Sequence, residues 1–140
     1  MYKQQELLPA KIPDRALDLL SREKKAFASL ALVRADGTPH VTPIWFEWDD
    51  TYFIVNTARG RVKDRVMRKK PMAALLIVDP TNAYRYLLIR GHVVDETEEG
   101  AYDMICRLNE KYHGKYEYPK RPGEVRVTYK ILPEYVFTNR

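Results

Sequence analysis

An Asp-Gly pair at positions 36 and 37 stands between two short apolar runs, and it constrains this chain more than any other local feature. Asp-Gly accepts the positive φ values of a tight hairpin turn, so the flanking runs are predicted to pair as antiparallel strands. The first run, residues 27–33, reads Phe-Ala-Ser-Leu-Ala-Leu-Val; the second extends from residue 40 to 48. Asp49 and Asp50 make another turn, and residues 52–55 (Tyr-Phe-Ile-Val) make a third strand. Three successive strands joined by tight turns describe an antiparallel meander.

Further strand patterns lie at 73–78, at 84–94, at 125–131 (β-branched residues alternating with polar or charged ones) and at 135–137. Helices are predicted in three places. Pro13 and Asp14 suit a helix start, and Ala16, Leu17, Leu19 and Leu20 carry an apolar stripe to about Lys24. Val62, Val66 and Met67 recur at helical spacing within 60–70, and Pro71 ends that segment. Met104, Ile105 and Leu108 mark a helix over 98–112, closed by Gly114. Six or seven strands, three helices and mostly hairpin links predict a mainly β protein. The expected architecture is an antiparallel split barrel with peripheral helices, since closure removes exposed sheet edges. A length of 140 residues fits one domain over 1–140.

Cys106 is the only cysteine, so an intrachain disulfide is impossible; a packed helix position and a cytoplasmic setting are expected. No stretch is long and apolar enough to span a bilayer, so no membrane partner is expected. The net charge of +5 arises from 24 basic against 19 acidic residues. Its distribution says more than its total: Arg59, Arg61, Lys63, Arg65, Arg68, Lys69 and Lys70 crowd one short segment. Such a local surplus suits a small anionic ligand as well as a nucleic acid. No helix-turn-helix or RNA-binding aromatic signature accompanies it, so no nucleic-acid partner is expected.

Three segments carry candidate chemistry. In His40-Val41-Thr42-Pro43-Ile44-Trp45-Phe46, Pro43 interrupts a strand where it cannot donate a ladder hydrogen bond. That opening gives a flat ligand access to backbone amides, and Trp45 and Trp48 offer apolar walls. The same residues also read as an edge strand with packed aromatics. In Asn56-Thr57-Ala58-Arg59-Gly60-Arg61-Val62-Lys63, a strand end passes into a helix start. Helix N-terminal amides, the Thr57 hydroxyl, the Arg61 and Lys63 cations and a close approach at Gly60 together suit a phosphate. The alternative is a solvated basic helix. In Tyr84-Arg85-Tyr86, two tyrosines share a strand face with the arginine opposite, which suits either a bound ring system or ordinary barrel packing.

His40, His92 and His113 have no metal-ligand spacing, and no nucleophile elbow or Ser-His-Asp order is present. An enzyme of this composition would rely on a cofactor for the difficult chemistry.

The three segments, in this order, resemble the pyridoxamine-phosphate-oxidase-like split-barrel superfamily that binds FMN. Within it, the resemblance is to the small deazaflavin-dependent (coenzyme F-420) enzymes. The matching stretches are residues 36–46, 56–65 and 84–91, and with the closing strand the resemblance covers nearly the whole chain. It implies a homodimer holding FMN or coenzyme F-420 in a cleft between subunits. His40, Val41, Thr42, Pro43, Ile44 and Trp45 would line the ring. Asn56, Thr57, Arg61, Val62 and Lys63 would take the phosphate side, and Tyr84, Arg85 and Tyr86 would border the cleft from the partner subunit. The implied activity is transfer of hydride or electrons to a small organic substrate, with Tyr84 or His40 as candidate proton donors. Arg59, Arg65 and Arg85 are candidates for the acidic tail of a deazaflavin. A cofactor carrier without turnover and a pyridoxamine 5'-phosphate oxidase proper are the alternatives.

Overall fold

The computed structural model describes residues 8–139. Seven antiparallel strands form one curled sheet in the order β2-β1-β5-β6-β7-β4-β3. They are β1 (Ala28–Val33), β2 (Pro39–Ile44), β3 (Glu47–Trp48), β4 (Phe53–Ala58), β5 (Met72–Asp79), β6 (Asn82–Thr97) and β7 (Arg126–Thr138). Two α-helices, α1 (Val62–Lys69) and α2 (Ala101–His113), lie outside it. The mainly β split barrel expected from the hairpin pattern is therefore the observed fold.

The Asp36-Gly37 turn joins β1 to β2 as predicted. Arg34 donates its amide to Thr38 O at 2.8 Å, and the Asp36 carboxylate accepts the Thr38 amide and hydroxyl at 3.0 and 2.6 Å. Asp49 ties the β3–β4 turn by accepting the amides of Thr51 and Tyr52 at 2.9 and 2.6 Å.

Four boundaries differ from the prediction. The stretch 40–48 is not one strand. It breaks at Trp45 and Phe46, and its two pieces lie at opposite edges of the sheet as β2 and β3. This break is the split of the barrel, with Phe46 crossing it fully buried. The two C-terminal strands are instead one, β7, in which Pro133 is tolerated because it faces Gly91 at a register shift in β6. A Cβ on Gly91 would stand 2.1 Å from the Leu132 carbonyl oxygen, so only glycine allows this approach. β6 runs longer than predicted and bends at its two register shifts, pairing with both β5 and β7. The N-terminal helix is a short 3₁₀ segment, Asp14–Leu20, whose three-residue period stacks Ala16 and Leu19 onto the sheet, with Leu20 also buried.

The core fills the barrel with Leu30, Leu32, Phe46, Phe53, Leu75, Ile77, Leu87, Ile89, Val127 and Ile131. A second, smaller cluster forms where Ile105, Leu108 and Tyr112 of α2 meet Trp45, Tyr102, Met104 and Tyr118. Cys106 is buried on α2, as its helix position suggested.

Candidate functional site

The backbone of the split needs partners because the ladder stops there. The last turn of α2 provides them. Lys111 Nζ donates to the Phe46 carbonyl at 2.6 Å, and the Tyr112 hydroxyl accepts the Phe46 amide at 3.3 Å while donating to the Ala26 carbonyl at 2.7 Å. Tyr112 also stacks on Trp45, with centroids 5.3 Å apart and planes at 14°. The indole is thereby held flat beside the break. Lys111 is buried with a carbonyl and the faces of Phe46 and Tyr112 around it, and burial lowers its ammonium to about 8.

Beside this crossing lies a cavity of about 290 Å³. Pro43, Ile44, Trp45 and Phe27 form one wall, and Ile105 and Leu108 of α2 face it. Asn56, Arg61, Lys63, Arg126 and Tyr118 supply the polar end.

The polar end is a built network. Asn56 Nδ2 donates to the Ala101 carbonyl at 2.9 Å and to Thr128 Oγ1 at 3.1 Å, while its Oδ1 accepts Arg126 Nε at 2.9 Å. Arg126 is 8% exposed and lies over the Tyr118 ring. Glu124 accepts Arg61 at 3.1 Å and Arg126 at 3.3 Å. Lys63, half-buried, has no carboxylate within ion-pair distance among the described residues. Burial pushes its ammonium below the ordinary lysine value, and the charges of Arg61 and Arg126 push it further. Three cations thus converge with one acid between them, an arrangement that lacks negative charge.

Six of the residues singled out in the sequence meet here: Pro43, Ile44, Trp45, Asn56, Arg61 and Lys63. Others lie elsewhere. Val41 is exposed on the free edge of the sheet, and His40 and Thr42 sit farther along β2, where the Thr42 hydroxyl is buried without a partner among the described residues. Thr57 is buried on the opposite face of β4 from Asn56, and its hydroxyl is likewise unpartnered, so it does not reach the cavity. Val62 lines a different cleft with Arg34, Arg65, Lys69 and Lys70, on the other flank of α1. Gly60 serves a left-handed turn, φ +88°, with open space around its Cα rather than a close approach.

Tyr84, Arg85 and Tyr86 do not line the cavity of their own chain. Tyr84 is 77% exposed, Tyr86 packs near Phe137, and Arg85 is held by Asp18 and Asp79. Arg59 is equally committed, bonded to Glu96 at 2.6 Å, Glu98 at 2.8 Å and Asp64 at 3.0 Å. Neither arginine is available for an anionic tail, because each already holds carboxylates of its own chain.

Phe27, Ile105, Leu108, Tyr118, Glu124 and Arg126 were not anticipated in the site. Arg126 had one legible signal. The alternation over 125–131 puts it on a face with Thr128 and Lys130, away from the apolar residues.

The pyridoxamine 5'-phosphate oxidase family model matches residues 12–139. Among solved structures, an F420 reductase is 32% identical over 90% of this chain and 98% of its own, with a TM-score of 0.79. A conserved hypothetical protein from Mycobacterium tuberculosis is 20% identical, covering 98% of this chain and 89% of its own at a TM-score of 0.71. HupZ from Group A Streptococcus is 23% identical over 91% and 94%, with a TM-score of 0.66. The last two share the fold. Comparison with curated proteins finds no match.

Proposed function

Because this chain belongs to the pyridoxamine 5'-phosphate oxidase family, we propose that it is an oxidoreductase holding coenzyme F-420 or FMN in the cavity beside the split. The observation that carries this reading is the convergence of Arg61, Lys63 and Arg126 at one end of a cavity whose other end is walled by Pro43, Ile44 and Trp45. One end suits a phosphate and the other a flat ring, as a phosphorylated flavin-type cofactor requires. The likeness to an F420 reductase favours the deazaflavin of the two.

When bound, the cofactor supplies the hydride or electron transfer to a small organic substrate. The chain's own residues bind, orient and exclude water. Arg61, Lys63 and Arg126 hold the phosphate. Asn56 fixes the guanidinium of Arg126 against the start of α2. Tyr112 holds the Trp45 indole in its plane, and Phe27, Ile105 and Leu108 keep that end of the cavity apolar.

A cavity of about 290 Å³ stands at the low end of cofactor sites, which run from roughly 300 to 1,000 Å³. A second copy of the chain would enlarge it, and we propose a symmetric homodimer. The register aligns Pro43, Ser29, Leu76, Leu88 and Phe137 as one row across β2, β1, β5, β6 and β7. Apart from Ser29 this row is apolar, with Pro43, Leu76 and Phe137 exposed, and such a surface favours a partner.

Titration with each cofactor tests the reading. One equivalent per subunit should quench Trp45 fluorescence and raise the melting temperature, and light scattering should give a dimer. Failure of both cofactors at high concentration would sink the cofactor assignment, and a monomer at micromolar concentration would sink the shared cleft.

A further inference from the structure

We propose that Glu124 sets the charge specificity of the cation cluster, its carboxylate standing in for the ligand's phosphate until a dianion displaces it from Arg61 and Arg126. The proposal rests on the anion-binding reading of the cavity and concerns what controls entry to it.

Glu124 divides its two oxygens between the arginines, Oε2 to Arg61 Nη2 at 3.1 Å and Oε1 to Arg126 Nη1 at 3.3 Å. This is the geometry a phosphate would adopt between two guanidinium groups. The side chain is only 12% exposed, so its charge acts at short range in a partly dehydrated setting.

Both arginines can be released without collapsing the site. Arg126 keeps its bond to Asn56 Oδ1 and its place over the Tyr118 ring. Arg61 is 46% exposed and stands at the start of α1, where solvent can satisfy it. Glu124 itself belongs to no strand. It follows Gly123, whose φ is +75°, and its amide closes a turn onto the Arg121 carbonyl at 3.1 Å. A side chain on a turn can swing out without moving the sheet.

The charges explain the selectivity. Arg61, Lys63 and Arg126 against Glu124 leave two positive charges in the cluster. Displacing Glu124 exposes all three cations, and a phosphate dianion replaces the lost negative charge twice over and makes more charge-assisted bonds than the carboxylate gives up. A monoanion gains too little to displace Glu124, and a ring compound without phosphate has no claim on the arginines. The carboxylate therefore weakens binding of every anion but weakens that of single charges most.

The experiment compares Glu124→Gln with the parent protein, using FMN, riboflavin and inorganic phosphate as probes. Riboflavin has the same ring and no phosphate. Fluorescence titration follows the two flavins, and phosphorus NMR follows inorganic phosphate at two pH values that set its charge. The variant should bind FMN and phosphate about ten-fold more tightly, leave riboflavin unchanged, and narrow the preference for phosphate dianion over monoanion. Weaker FMN binding, or equal changes for FMN and riboflavin, would overturn the proposal and make Glu124 a buttress for the arginines. If neither flavin binds the parent protein, FMN is excluded and the cofactor reading rests on the coenzyme F-420 titration alone, but tighter phosphate binding by the variant still supports the proposal and unchanged phosphate binding still overturns it. Should Glu124→Gln fail to fold, Glu124→Asp keeps the charge and shortens its reach. It should tighten FMN or phosphate binding by a smaller factor, and no gain would overturn the proposal.

Discussion

Two regions fed by the same stretch of chain treat positive charge in opposite ways. Beneath the start of α1, Arg59 is surrounded by Asp64, Glu96 and Glu98, and Asp64 is 1% exposed yet fully partnered. Asp64 accepts the Gly60 amide at 2.9 Å, Arg59 at 3.0 Å and the Tyr129 hydroxyl. Burial raises its carboxyl, but these hydrogen bonds and the Arg59 charge outweigh it and leave the group below the ordinary aspartate value. Four residues along from Arg59, Lys63 turns to the cavity and meets two other cations. A saturated network is a device of folding. An unsaturated one is a cost to folding that an anionic ligand would remove, and it is the part of the basic segment to which the proposed function assigns binding.

The largest expected effect breaks the saturated side. Asp64→Ala leaves the Gly60 amide without its acceptor and takes one acceptor each from the Tyr129 hydroxyl and from Arg59, which keeps Glu96 and Glu98. At about 1–3 kcal/mol per buried donor left short, it should cost about 3–5 kcal/mol in chemical denaturation. A loss below about 1 kcal/mol would class the network with ordinary surface pairs. The same group sets an acid limit. Its folded pKa is depressed, so its contribution is present above the unfolded value near 3.8 and disappears as pH falls through the folded one.

Lys111 sharpens the contrast from the other direction. Its ammonium is lowered from 10.5 to about 8, so between those values the unfolded chain binds more protons than the native one. Stability should therefore rise with pH across that window, by roughly 3 kcal/mol for a shift of this size. Lys111→Met, which keeps the stem in place, should remove that rise; equal slopes in both proteins would show that Lys111 is not strained by its burial.

Next comes the unsaturated side. Lys63→Ala and Arg61→Ala should each raise the dissociation constant for cofactor about ten-fold to a hundred-fold, since a hydrogen bond to an ionised group is worth about 1.5–3 kcal/mol. Stability of Lys63→Ala should stay within about 0.5 kcal/mol of the parent, because Lys63 supports no carboxylate of its own chain, whereas Arg61→Ala also removes the pair with Glu124. The smallest effect belongs to Arg68→Ala on the same helix, 55% exposed and 3.9 Å from Glu96, which should change neither quantity measurably. Equal and mild weakening by all three substitutions would reduce the site to diffuse electrostatics.

Much of this was legible before any coordinates. The Asp36-Gly37 turn, the alternation in β7 and the helical spacing of Met104, Ile105 and Leu108 act through neighbours a few residues apart, so the chain itself determined the strands, the helices and the mainly β class. Pro43 marked an edge strand, two residues short of the break itself, and Arg61 and Lys63 marked the cationic side of the cavity, because strand and helix starts are local events. What the tertiary structure decided depends on contacts distant in sequence. The break at Trp45 and Phe46 is stable only because Lys111 and Tyr112, some 65 residues later, satisfy the freed backbone. Whether a cation in the basic segment is spent or available depends on where Glu96 of β6 and Glu98 just beyond it fall, which neutralise Arg59 and leave Lys63 open. Arg126 and Glu124 join the site because β7 pairs with β4 and lays Arg126 opposite Ala58, beside Asn56. Charge interactions in a partly dry cavity are set by distances of a few ångströms, and those distances exist only once the sheet has curled.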